Sequence, residues 1–127
     1  PNIVFNFAAE SHVDRSIETK TPFVMTNILG THVLLEAAAE NKTDLFFQVS
    51  TDEVYGSLSE TDNSWDETYP KRPRSTYSAT KSAAEDLVLA TFETHGLPVI
   101  VSRSANNYGA YQYPEKLLPL FITNLIG

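Results

Sequence analysis

Three short apolar runs alternate along the chain with longer segments of helical periodicity. The runs are rich in β-branched and aromatic residues, which predicts buried strands at 2–8, 45–50 and 98–104. The helical segments follow each run, at 21–41, at 76–96 and from about 114 onward. The order β-α-β-α-β-α predicts an α/β fold with a doubly wound parallel sheet, because helices long enough to cross over connect successive strands.

Local residues indicate where the two long helices begin and end. Thr21 followed by Pro22 is typical of an N-cap and the first helical position. Leu29, Val33 and Ala37 then share one stripe of that helix. Gly96 is the expected C-terminal stop of the second helix, which Ser75 or Thr76 can cap.

One face of the second helix combines apolar residues with a tyrosine and a lysine. Tyr77, Lys81, Ala84, Val88 and Phe92 recur on it at helical spacing. Four acidic residues on the two helices are interpreted as solvated faces: Glu36, Glu40, Glu85 and Asp86.

The composition of the chain argues against several classes of protein. The 127 residues include 16 acidic and 9 basic ones, a net charge of −7, which argues against a nucleic-acid or anionic-membrane partner. No apolar run approaches the roughly 20 residues of a membrane-spanning helix. The sequence has no cysteine, which fits a cytoplasmic location, and its five glycines are too scattered to form a glycine-rich phosphate loop.

Polar segments follow all three predicted strands, at 8–15, 50–56 and 104–114. Because open α/β sheets bind ligands at the carboxyl ends of their strands, the chemistry is expected in these segments. A long stretch without periodicity, 52–75, extends the second of them, and loops of that length are often functional.

Tyr77 and Lys81 are four residues apart, so both lie on one helix face. A nearby ammonium group favours the phenolate and is expected to lower the pKa of Tyr77, making it usable as a base. The alternative is an ordinary amphipathic helix with a core tyrosine and a solvated lysine.

The segment Ser50-Thr51-Asp52-Glu53 presents two hydroxyls and two adjacent carboxylates directly after a strand. Two carboxyl groups in different environments can act as an acid and a base. The alternative is a hydrogen-bonded turn, which the same residue types favour. The segment 10–15 fits a capped short helix with a local Asp14–Arg15 pair, and the three histidines lack metal-ligand spacing.

Four segments in this order resemble the extended short-chain dehydrogenase/reductase family, and within it the nucleotide-sugar 4,6-dehydratases, most closely those acting on dTDP-glucose. The resemblance spans essentially the whole chain, and Thr51-Asp52-Glu53 is its most specific part. The family usually has proline where this chain has Ala110. The segments are Ala8–Ser16, Ser50–Gly56, Tyr77–Lys81 and Arg103–Leu117.

The resemblance implies an NAD-dependent hydro-lyase. In its mechanism NAD takes hydride from sugar C4 while Tyr77, aided by Lys81 and Thr51, accepts the hydroxyl proton. Glu53 then removes the C5 proton and Asp52 protonates the departing C6 hydroxyl. Hydride returns to C6, giving a 4-keto-6-deoxy sugar.

The resemblance also implies binding roles and a partial fold. The residues expected at the NAD cofactor are Ala8, Ala9, Ser11, Tyr77 and Lys81. Those expected at the nucleotide-sugar are Asn106, Glu115, Lys116 and Leu117. The chain would be the central part of a Rossmann-like NAD-binding domain, with a substrate-binding region starting at about 106–127. It would lack the glycine-rich β-α unit before it and the substrate domain after it.

Two alternatives remain open at this stage. One is a sugar-nucleotide decarboxylase or epimerase of the same family, against which Asp52 argues. The other is a non-catalytic binding module, because the 127 residues contain no dinucleotide fingerprint. The complete enzyme is expected to be a homodimer through helices 22–41 and 76–96, and the isolated chain is expected to be inactive.

Overall fold

The computed structural model, which describes residues 1–61 and 63–126, contains a three-stranded parallel sheet. β2 lies in the middle and pairs with β1 on one side and β3 on the other. The strands are β1 (Ile3–Asn6), β2 (Leu45–Thr51) and β3 (Val99–Ser104). Parallel strands joined by helices confirm the Rossmann-like α/β class.

Five α-helices connect or follow the strands in the described residues. Between the second and third of them lies a π-helical turn, Val24–Gly30, and a 3-10 turn, Asp52–Tyr55, follows β2. The α-helices are α1 (Val13–Glu18), α2 (Thr21–Phe23), α3 (Thr31–Glu40), α4 (Thr76–His95) and α5 (Leu117–Ile126).

Two predicted helix starts are wrong by one to three residues. The backbone N–H of Val24 bonds to the carbonyl of Lys20, so Lys20, and not Thr21, is the N-cap of α2. The carbonyl of Lys116 accepts the first bond of α5, from Leu120, while Pro114 lies in the turn before it. Gly127, the last residue of the predicted substrate-binding region, lies outside the described residues.

The π-helical turn changes which side of the first long helix is buried. Leu29 and Val33, on the stripe singled out in the sequence, are 44% and 54% exposed. Asn27, Thr31 and Leu35 face inward instead. A π-helical turn holds an extra residue per turn and so rotates the face that an unbroken α-helical period would give.

The core lies between one face of the sheet and the pair α3 and α4. Phe46 and Val88 are fully buried at its centre, with Leu35, Ala38 and Leu97 around them. A buried polar link also joins the sheet to this layer: Asn6 donates hydrogen bonds to Gln48 and to Thr31. The core fixes the position of α4 against the sheet, which matters for the site.

α4 is defined by its caps, as the sequence predicts. Ser75 and Ser78 form a capping box, and Gly96 ends the helix with φ 68°. Lys81, Ala84 and Val88 are buried on the predicted face, whereas Phe92, near the end of the helix, is 47% exposed.

The two glycines with positive φ provide a matched test of backbone strain. A Cβ at Gly56 (φ 98°) would lie 2.5 Å from the carbonyl oxygen of Arg72, whereas one at Gly96 (φ 68°) would meet nothing within 4 Å. We expect Gly96→Ala to cost about 1 kcal/mol through conformation alone. Gly56→Ala should cost about 3 kcal/mol, because the backbone must also move.

Urea denaturation of the two variants and the unmodified chain measures the difference. Equal losses of unfolding free energy would show that Gly56 does not hold the loop against Arg72.

Candidate active site

The segments that follow β1, β2 and β3 meet at one edge of the sheet and form a cleft of about 720 Å³. The register places Thr51 opposite Ser104, so the last residues of β2 and β3 end side by side. Of the predicted site residues, the cleft is lined by Ala9, Ser11, Thr51, Glu53, Tyr77, Lys81, Asn106, Glu115, Lys116 and Leu117.

Lys81 is buried at the base of the cleft, with 4% of its surface exposed. Its ammonium group donates a 2.6 Å hydrogen bond to the carbonyl of Val49 in β2. Burial lowers the pKa of Lys81, and the negative charge of Glu85, one turn further along α4, opposes that shift.

Tyr77 is half-buried beside Thr51. Burial raises its pKa, the hydrogen bond with Thr51 lowers it, and the charges of Glu53 and Asp52 raise it further. The predicted lowering of the Tyr77 pKa by Lys81 is therefore wrong for this arrangement. Desolvation of the phenolate outweighs the favourable contacts.

Asp52 and Glu53 lie on the 3-10 turn directly after β2. Thr51 orders this turn, because its hydroxyl accepts a hydrogen bond from the Glu53 N–H and donates one to Asp52, both of 3.3 Å. Glu53 faces the cleft, whereas Asp52 lines an adjoining hollow with Tyr55 and Trp65.

The two carboxyl groups occupy different environments. The pKa of Glu53 is raised by burial first and then by the charge of Asp52, while the charge of Lys116 acts in the opposite direction. A carboxylate with a raised pKa is a stronger base than an exposed one.

Three of the predicted cofactor residues follow β1, and two of these three line the cleft. Ala9 and Ser11 line the cleft. Ala8 lies instead in a separate apolar hollow with Met25 and Leu29, so the structure does not bring it to the site. Side chains alternate along an extended segment, which separates neighbouring residues.

The opposite wall is formed by the segment after β3. Glu115 lies 3.5 Å from His12 Nε2, 3.7 Å from Arg15 and 3.9 Å from Lys116. The predicted local pair of Asp14 with Arg15 is replaced by this contact of Arg15 across the cleft. The charges at this wall can hold an anionic ligand.

One residue of the site region was misinterpreted in the sequence. Glu85, expected on a solvated face, is 0% exposed. Arg103 of β3 donates to both of its carboxylate oxygens, at 2.8–3.2 Å, and Lys71 lies 3.6 Å away. The sequence did contain one signal for the burial of Glu85: it lies four residues after Lys81 and next to Ala84, on the predicted inner face of α4.

Asn27 was missed altogether. Its side-chain amide accepts a hydrogen bond from the N–H of Glu10 and donates to the carbonyl of Glu10 and to Thr80. It thereby ties the segment after β1 to α4. Asn27 lies in the π-helical turn, which no sequence pattern indicated.

Residues 1–61 and 63–126 contain no group of three or more His, Cys, Asp or Glu side chains that could hold a metal ion. Among those same residues no helix has the length and apolar character needed to cross a membrane.

The chain belongs to the family described as GDP-mannose 4,6 dehydratase, which it matches over residues 1–126. It is 54% identical over 123 residues to the dTDP-glucose 4,6-dehydratase of Streptomyces niveus, an alignment that covers 97% of this chain and 36% of that protein. It is also 52% identical over 121 residues to the low-salt glycan biosynthesis protein Agl12 of Haloferax volcanii, covering 95% and 38%.

Solved structures of similar enzymes also match this chain. The dTDP-glucose 4,6-dehydratase DesIV of Streptomyces venezuelae, crystallised with NAD and TYD, matches with a TM-score of 0.94 and 47% identity over 98% of this chain and 38% of that one. The UDP-glucuronic acid 4-epimerase of Bacillus cereus, crystallised with NAD, has a TM-score of 0.90 and 30% identity over 98% and 39%. The chain thus spans less than two fifths of each of these four proteins.

The charges around Glu53 predict opposite shifts of its pKa in two variants. Asp52→Asn should lower the pKa of Glu53, because it removes a like charge, and Lys116→Met should raise it, because it removes an opposite one. Carboxyl-carbon NMR titration of the chain measures both, with exposed Glu60 as internal reference. Shifts in the same direction in the two variants would contradict this electrostatic account.

The same shift sets a direction for stability. The pKa of Glu53 in the folded chain lies above its ordinary value. The free energy of unfolding is therefore expected to fall as the pH rises from that ordinary value through the folded-state pKa, because Glu53 then ionises in the folded chain.

Proposed function

We propose that this chain is the central, catalytic part of an NAD-dependent nucleotide-sugar 4,6-dehydratase that converts dTDP-glucose to dTDP-4-keto-6-deoxyglucose. The observation that carries the proposal is the meeting of two sets of groups at one sheet edge. Thr51, Tyr77 and Lys81 form one set, and Asp52 and Glu53 form the other. The similarity to dTDP-glucose 4,6-dehydratases supports the same conclusion.

The cleft suits the NAD cofactor. Among the described residues, the buried hydroxyl of Ser50 has no hydrogen-bond partner, and Ser50 lines the cleft between Lys81 and the β1 side. Ser11, Tyr77 and Lys81 offer further polar groups, and small Ala9 leaves room beside them. When bound, NAD supplies the acceptor for hydride from sugar C4 and its donor to C6.

Oxidation at C4 requires a group that accepts the hydroxyl proton. Tyr77 takes that role, and its hydrogen bond with Thr51 favours the phenolate against burial. The ammonium group of Lys81, one helical turn away, offsets the negative charge that forms.

Elimination of water uses the carboxyl pair. The C4 ketone acidifies the C5 proton, and Glu53 removes it; the C5–H electrons form the C5=C6 bond as the C6–O bond breaks. Asp52 gives its proton to the C6 oxygen, which leaves as water. With hydride supplied at C6 by bound NAD, Glu53 would return its proton to C5, so that the reaction involves no net oxidation.

The nucleotide-sugar is expected against the wall formed after β3. Asn106, Glu115, Lys116 and Leu117 line it, and the ammonium group of Lys116 suits a diphosphate. The whole protein is expected to be a homodimer. The exposed apolar residues of the helical layer that would meet a second copy are Met25, Leu29, Val33, Leu89 and Phe92.

A sugar-nucleotide epimerase is the second candidate, because one of the similar structures is a 4-epimerase. Epimerisation needs only the Thr51, Tyr77 and Lys81 set. The carboxyl pair has a task only in elimination, which favours the dehydratase.

A chimera tests the proposal. The chain replaces the aligned 123-residue segment of the Streptomyces niveus relative. We expect the chimera to dehydrate dTDP-glucose, and Asp52→Asn to slow dehydration about 100-fold by removing the acid. C4 oxidation, measured with dTDP-6-deoxyglucose as formation of reduced nicotinamide, should stay within about threefold, since this analogue has no C6 hydroxyl to lose.

Asp44→Asn, at the opposite end of β2, is the matched control. An active chimera in which Asp52→Asn leaves dehydration unchanged would refute the role of Asp52, and an unmodified chimera that oxidises C4 but forms no dehydrated product would refute the dehydratase proposal.

A further inference from the structure

A charged pair, buried at Glu85 and half-buried at Arg103, joins α4 to β3. Glu85 is completely buried, and Arg103 holds it through Nε and one terminal nitrogen, with donor–acceptor distances of 2.8–3.2 Å. Bidentate pairs of this kind fix both partners in one geometry. The contact raises the pKa of Arg103, so its charge is permanent.

Arg103 also reaches the 3-10 turn. Its other terminal nitrogen donates a 2.7 Å hydrogen bond to the hydroxyl of Tyr55 and a 3.2 Å bond to the carbonyl of Glu67. The guanidinium carbon lies 4.9 Å from the centre of the Tyr55 ring. Tyr55 is the last residue of the turn that carries Asp52 and Glu53.

The two halves of the site are held in different ways. Tyr77 and Lys81 belong to a 20-residue helix, and Thr51 is the last residue paired in β2. Asp52 and Glu53 belong to a four-residue turn, which needs anchors outside itself. The Arg103–Tyr55 bond and the bond from the Arg72 N–H to the Val54 carbonyl, 2.8 Å, are two such anchors.

We propose that Glu85, Arg103 and Tyr55 are positioning residues that hold the carboxyl pair against the Tyr77–Lys81 helix, and so govern water elimination rather than C4 oxidation. The inference rests on the proposed dehydratase function. Glu85 is the origin of the chain of contacts, because it lies two helical turns from Tyr77 on the same helix. Arg103 transmits that position to Tyr55, and Tyr55 to the turn.

Tyr55→Phe is the decisive variant. It keeps the ring, which packs 5.3 Å from Trp65 and against Arg103, and removes only the hydroxyl that Arg103 holds. In the chimera we expect dehydration of dTDP-glucose to fall about 10-fold, because small misplacement of catalytic groups is costly. Oxidation of dTDP-6-deoxyglucose at C4 should stay within about twofold.

Arg103→Lys should act in the same direction with a larger loss, since a lysine keeps the charge but cannot hold Glu85 and Tyr55 together. Glu85 itself is not substituted, because its loss would leave the half-buried guanidinium of Arg103 without its carboxylate partner, which endangers folding. The matched controls are Tyr69→Phe, in the same aromatic cluster, and Arg74→Lys, near the start of α4.

The outcomes separate the two proposals. An unmodified chimera that oxidises C4 but forms no dehydrated product overturns the proposed function. An active chimera in which Tyr55→Phe lowers both rates equally, or neither, overturns the positioning role alone. If Arg103→Lys does not fold, thermal unfolding shows it, and Tyr55→Phe decides the question.

Discussion

The parallel register between β2 and β3 is the constraint on which the rest of the site depends. It places Thr51 opposite Ser104, so that the segments after both strands leave the sheet side by side. β1 joins the same edge from the other side of β2. A parallel sheet has all its carboxyl ends at one edge, and three separate polar segments of the chain thereby become one cleft. A shift of one residue would turn every side chain of a strand to the opposite face.

Desolvation is the dominant electrostatic effect at this edge. It is the largest cause of the pKa shifts of Glu53, Tyr77 and Lys81, and in each case it favours the neutral form. Neighbouring groups then set the balance: Thr51 favours the phenolate, and Glu85 favours the ammonium. In such a site the uncharged form of each acid and base is more favoured than it would be for an exposed group.

Local chemistry made much of this structure predictable from the sequence. The three strands, the caps of α4 at Ser75 and Gly96 and the meeting of the polar segments all follow from short-range patterns and sheet topology. Three features did not follow. No local pattern indicates the π-helical turn, Glu85 is buried because Arg103 arrives from a distant strand, and Ala8 is turned away by the alternation of an extended segment. Charged residues on helices are usually solvated, so a buried one is visible only when its partner is placed.

The path of one hydrogen atom tests the central claim most directly. The chimera is given dTDP-glucose that carries deuterium at C4, and the product is analysed by NMR and mass spectrometry. If the two sets of groups act in succession on one sugar, the deuterium leaves C4 and is recovered at C6 of a 4-keto-6-deoxy product. Deuterium retained at C4 of an epimerised sugar, or lost to solvent, would contradict the account.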